Sequence, residues 1–203
     1  MNGKDLSGIH VEGHIKIWYP ETGEIAINKR NAIHYENMSI ALAESIANSG
    51  QGFINSMVFG NGGTNVDPTG IITYLTPNST GANAGLYNPT YEKVVNDRSS
   101  SNLDPTRNKI EIRHLAGKNY TDVFVTCLLD YGEPSGQEAF DNTSNNDSDY
   151  VFDELGLVSY NPTGTGKLLT HVIFHPVQKS LNRLIQIDYT VRIQSLTGIS
   201  EVA

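Results

Sequence analysis

Ten residues late in the chain, Ile185 to Gln194, alternate without a break between apolar and polar. Ile185, Ile187, Tyr189, Val191 and Ile193 fall on one side, and Gln186, Asp188, Thr190, Arg192 and Gln194 on the other. A period of two is the signature of a strand with one face in a core and one in water, and no helix divides residues this way. A strand of this kind needs other strands to pair with and a second layer to pack on. It therefore constrains the fold class of the whole chain more than any other stretch.

The rest of the sequence supplies those strands. His14 to Tyr19 and Ile25 to Ile27 alternate on either side of Pro20-Glu21-Thr22-Gly23, which has the chemistry of a turn. The spacing predicts a hairpin over residues 13–29. Further strands are predicted at 53–59, 71–75, 109–115, 155–160 and 168–174. Tyr120 to Leu129 is the most apolar of them and is expected to be central. One helix is predicted over about 32–47, with Asn31 as its N-cap and Asn48-Ser49-Gly50 as its stop signal. Ile33, Met38, Leu42 and Ile46 form its apolar stripe. Two long polar stretches, 76–108 and 130–153, show no periodicity and are expected to be loops or arms. Only 18% of the residues are charged, and there are 19 Gly and 8 Pro among 203. This turn-rich composition suits a single mainly β domain, an antiparallel β-sandwich or jelly-roll-like fold with one helix.

Charge and composition exclude several functions. A formal net charge of −8 and the lack of any basic cluster argue against binding to nucleic acid. Met1 to Gly8 lacks the apolar core of a secretion signal. No run approaches the ~18 apolar residues needed for a membrane-spanning helix. The lone cysteine, Cys127, sits in the apolar run Val123 to Leu129 and is expected to be a buried, inert thiol.

The motifs that suggest chemistry fail on their context. Gly164-Thr165-Gly166-Lys167 lacks the leading glycine of a phosphate loop, has Leu168 in the hydroxyl position, and precedes a strand instead of a helix. Gly60-Asn61-Gly62-Gly63 is followed by Asn65 and Pro68, so it does not open a dinucleotide-binding helix. Gly60, Gly62 and Gly63 are read as a tight turn needing positive φ. His171 and His175 have the spacing of a helical zinc pair, but on a strand they stand about 13 Å apart. The acidic stretch Asp141 to Asp149 lacks the glycine and the glutamate of a calcium loop. No nucleophile motif is present, so no enzyme activity, cofactor or metal is expected.

Several segments resemble structural proteins of tailed bacteriophages. The segments are Thr170-His171-Val172-Ile173-Phe174-His175-Pro176, then Ile185-Gln186-Ile187-Asp188-Tyr189 to Ile193, and upstream Asn31 to Met38 with Met57-Val58-Phe59-Gly60-Asn61-Gly62-Gly63-Thr64. The resemblance implies a β-rich subunit of the virion, self-assembling into a symmetric ring at the neck, collar or tail and touching other virion proteins. On that reading the polar stretches are arms that order at interfaces, with Leu86, Tyr87, Tyr91, Val94 and Val95 as their candidate partner contacts. Alternatives left open by the sequence are a capsid decoration protein and a carbohydrate- or receptor-binding module, for which Trp18 is the exposed aromatic.

Overall fold

A computed structural model describes residues 6–81, 83–134 and 149–199. Its elements in chain order are β1 (Leu6–Trp18), β2 (Ile25–Ile33), α1 (Tyr35–Ile46), β3 (Ile54–Gly60), β4 (Thr64–Val66), β5 (Ile72–Tyr74) and β6 (Pro89–Val94), followed by β7 (Lys109–His114), β8 (Tyr120–Leu129), β9 (Asp149–Ser159), β10 (Thr170–Ser180) and β11 (Ile185–Ile199). Nine strands form one curled antiparallel sheet in the order β6-β3-β9-β10-β2-β1-β11-β8-β7, and β4 with β5 makes a small separate hairpin. The mainly β, sandwich-like architecture with one helix is the one the sequence predicts.

The alternating strand behaves as read. Ile185, Ile187 and Tyr189 are fully buried and Val191 nearly so, all in the main core with Ile15 and Ile17 of β1. The N-terminal hairpin turns at Gly23, whose φ is 75°, with the Tyr19 amide donating to Glu24 O at 2.9 Å. Instead of lying at an edge, this hairpin sits between β10 and β11. The two last strands are therefore not neighbours, although they are consecutive in the chain.

Several boundaries differ from expectation, each for a local reason. Asn31 does not cap the helix. It stays in β2 opposite Gly13, and its side-chain amide donates to the Tyr189 hydroxyl. The cap is His34, whose Nδ1 accepts from the Asn37 amide at 3.3 Å. The helix ends where the stop signal lies, with Asn48 at φ 51° and Gly50 at φ 77°. It buries Met38 and Ala41, but Ile46 is 82% exposed. β8 lies next to the edge strand β7 and is not central. β10 runs on through Pro176 to Ser180, accommodating the missing N–H by a register shift between Ile173 and Val177.

The expected arm at 76–108 is in large part folded structure. It contains β6, which pairs with β3 at the sheet edge, and Leu86, which packs with Val158 and Leu168 in a second small core. This covers the outer side of β9, whose residues Phe152 to Ser159 are all buried. In the other expected arm, 149–153 belong to β9, while 135–148, with most of the acidic stretch, lie outside the described residues.

Candidate functional site

Two adjacent carboxylates on β9 organise the most connected polar cluster. Glu154 Oε1 accepts the main-chain N–H groups of Gly62 at 3.1 Å and Asn88 at 2.8 Å. Its Oε2 accepts from the Tyr87 N–H at 3.0 Å and faces His171 Nε2 at 2.9 Å. Asp153 takes the Gly63 and Thr64 N–H groups, both at 2.9 Å, and the Thr64 hydroxyl. His171 Nδ1 accepts the Asn78 N–H at 2.8 Å, so the ring proton resides on Nε2 and is donated to Glu154. Burial alone would push the Glu154 carboxyl up, but the hydrogen bonds from His171, Asn88 and Tyr87 prevail and hold it below its ordinary value.

A His–Glu pair can serve as a general acid–base couple, but here its capacity is saturated. Both side chains are fully buried and main-chain donors fill the carboxylate. The cluster clamps the turn at 60–64 and the segment 78–88 onto β9 and β10. It also explains the glycines. None of Gly60, Gly62 and Gly63 has a positive φ, contrary to the sequence reading. They are required because a Cβ would lie 2.5 Å from Asn88 O at Gly60, 2.8 Å from Asn88 N at Gly62 and 2.9 Å from Ile173 Cγ2 at Gly63. Close approach of main chain to the clamp demands glycine there.

The five proposed contact residues divide. Val95 is fully buried in the main core and Leu86 is 9% exposed in the second one, so both pack within their own domain. Tyr91 and Val94 are half-buried, Tyr91 against Phe59. Tyr87 alone is exposed, with its hydroxyl donating to Thr76 O at 2.7 Å. The reason is that Leu86 packs on β9 and β6 joins the sheet beside β3, so the segment does not extend away from the domain.

The exposed apolar surface lies elsewhere. A groove of about 770 Å³ runs between α1 and β3 on one side and β7, β8 and β11 on the other. Met38, Leu42, Phe53, Ile110, Val123 and Ile193 are among its lining residues. Ile112, which the alternation of β7 places on the core-facing side, is 77% exposed here. Along β8 burial rises from half-buried at Tyr120 to complete at Leu129, so the curl is packed at one end and open at this one. β7 at the rim has a strand on one side only among the described residues.

The opposite, polar face is internally paired. Glu12, Arg192, Asp122 and Arg113 stand opposite one another across β1, β11, β8 and β7. Arg192 grips Asp122 at 2.7 and 2.9 Å and lies over Tyr120, which holds the Asp122 carboxyl below its ordinary value. Trp18 is half-buried, donates to Asp188 at 2.9 Å and carries the Lys16 ammonium over its ring. Cys127 is fully buried, which pushes its thiol up to about 12. His171 is buried on β10 and His175 is exposed on the same strand. Among the described residues no group of three or more His, Cys, Asp or Glu side chains is placed to hold a metal, and no helix is long and apolar enough to cross a membrane. Gly166 approaches Ser159 O so closely that a Cβ would be 1.7 Å away, which makes its loop a tight strand connection. Comparisons with protein families, with curated proteins and with solved structures find no match to this chain.

Proposed function

We propose that the chain is a structural, non-catalytic component of a tailed-phage virion that assembles into a symmetric ring at the neck, collar or tail and contacts other virion proteins there. The observation that supports this most is the open apolar groove beside the single-sided edge strand β7. An open apolar groove bordered by a free strand edge is suited to docking by another protein chain. The resemblance of Thr170–Pro176, Ile185–Ile193 and Met57–Thr64 to virion proteins supports the same reading. The glycan-binding alternative is less well supported, because Asp188 and Lys16 already occupy the indole N–H and one ring face of Trp18. Antibody labelling of tailed particles that contain this chain, viewed by electron microscopy, tests the proposal. Label confined to the neck or tail is the expected outcome. Label spread over the shell would make the chain a decoration protein, and unlabelled particles would remove the virion reading.

A further inference from the structure

β2 leaves β1 abruptly. Asn31 still pairs with Gly13, but Ala32 and Ile33 pair with β10 instead. The N-terminal part of β1, residues 6–12, is therefore held by β11 alone and has no strand on its other side among the described residues. Beyond Gln194 β11 in turn loses β8, apart from bonds between Ser195 and Asn119. Residues 6–9 of β1 and 195–199 of β11 therefore form a two-stranded ribbon. Gly8 and Ile9 are exposed on it, Ile9 by 66%. In a chain of net charge −8, neither 6–11 nor 195–199 contains an Asp, Glu, Lys or Arg. A two-stranded ribbon is marginal alone in water and gains stability from a third strand or an apolar surface.

The same molecule holds what such a ribbon lacks. β7 is six residues long, and the bare edge of β1 covers residues 6–12, so each offers about 20 Å of strand edge. Beside β7 lies the apolar groove with Ile112 exposed. An uncharged ribbon enters that groove without the desolvation penalty a charged one would pay. We infer that the ribbon of one copy docks on β7 of a second copy, with Ile9 entering the groove around Ile112. The inference rests on the ring reading and deepens it. The free edges of β1 and β7 face away from each other across β11 and β8, so the contact is head-to-tail, the kind that builds a ring when its rotation closes.

Ile9→Asp and Ile112→Asp test this in the full-length chain. Both sites are exposed, so each variant should keep the wild-type circular-dichroism spectrum and thermal midpoint. Native mass spectrometry at high micromolar concentration is expected to show wild-type oligomers and a monomer for each variant alone. Mixing the two variants should give a heterodimer and nothing larger, because one intact ribbon meets one intact groove. Variants that assemble like wild type would overturn this contact while leaving the ring reading in place. Monomeric variants that do not dimerise on mixing would overturn the head-to-tail pairing. A wild-type chain that stays monomeric throughout would overturn both.

Discussion

Glu154 shows at the level of one residue how the fold depends on a polar contact that resembles an active site. Its carboxylate is surrounded by donors, so an amide in its place would turn an NH2 toward an N–H. Glu154→Gln is predicted to lower stability by about 2–4 kcal/mol in urea unfolding, the cost of leaving a buried group mispaired. The pH dependence follows in sign. The folded carboxyl is held below its ordinary value of 4.5, so its contribution is fully present above that pH and is lost as the pH falls through the folded value. The wild-type protein should therefore lose more stability on acidification below 4.5 than Glu154→Gln. Lys179 works in the opposite direction. It is fully buried, and burial lowers its ammonium from 10.5 to about 8. The unfolded chain binds the extra proton between those values, so stability rises with pH across that window. Lys179→Met should flatten the rise in denaturant midpoint between pH 8 and 10.5, and an unchanged slope would contradict the assignment. Neither residue was legible as such. Asp153 and Glu154 stand just before an apolar run and look like the end of a loop, and nothing local shows that distant main-chain donors converge on them.

At the scale of elements, legibility followed periodicity. The second half of β1, β2, β7 and β11 alternate cleanly enough to be read, β3 and β8 are legible as short apolar runs, and the helix is legible from its spacing and its stop signal. β6 was missed because Pro89-Thr90-Tyr91-Glu92-Lys93-Val94 opens on proline and carries charge, which is how an edge strand is blunted. Lys93 points toward Glu133 and pairs with it, a compensation that only the fold reveals. Strand order was not legible either, because alternation tells which face is buried but not which neighbour is paired. The insertion of the β1–β2 hairpin between β10 and β11 is a tertiary choice of this kind. The folded status of the 76–95 segment gives its own prediction. Leu86→Ala should destabilise by about 2–3 kcal/mol, as expected for a leucine removed from a packed site. If the segment were a free arm, the unfolding midpoint would not move.

The whole molecule is asymmetric between its two faces. The polar face carries Glu12, Arg192, Asp122 and Arg113 in register across four strands, with Arg192 held by Asp122 and Arg113 by Glu111. The other side has an open groove and, on the same sheet, a bare ribbon. The proposed function draws on that asymmetry, with oppositely specialised surfaces at two places on one subunit. The groove could not be read from the sequence, because Ile110 and Ile112 have the spacing of core residues, and only the incomplete closure of the sheet exposes Ile112. The most direct test of the central claim is electron microscopy of the purified wild-type chain with symmetry analysis of its particle averages. Closed rings of one rotational symmetry are expected, with the β1–β11 ribbon of each subunit meeting β7 of the next. Averages showing only single subunits, or open aggregates without rotational symmetry, would contradict it.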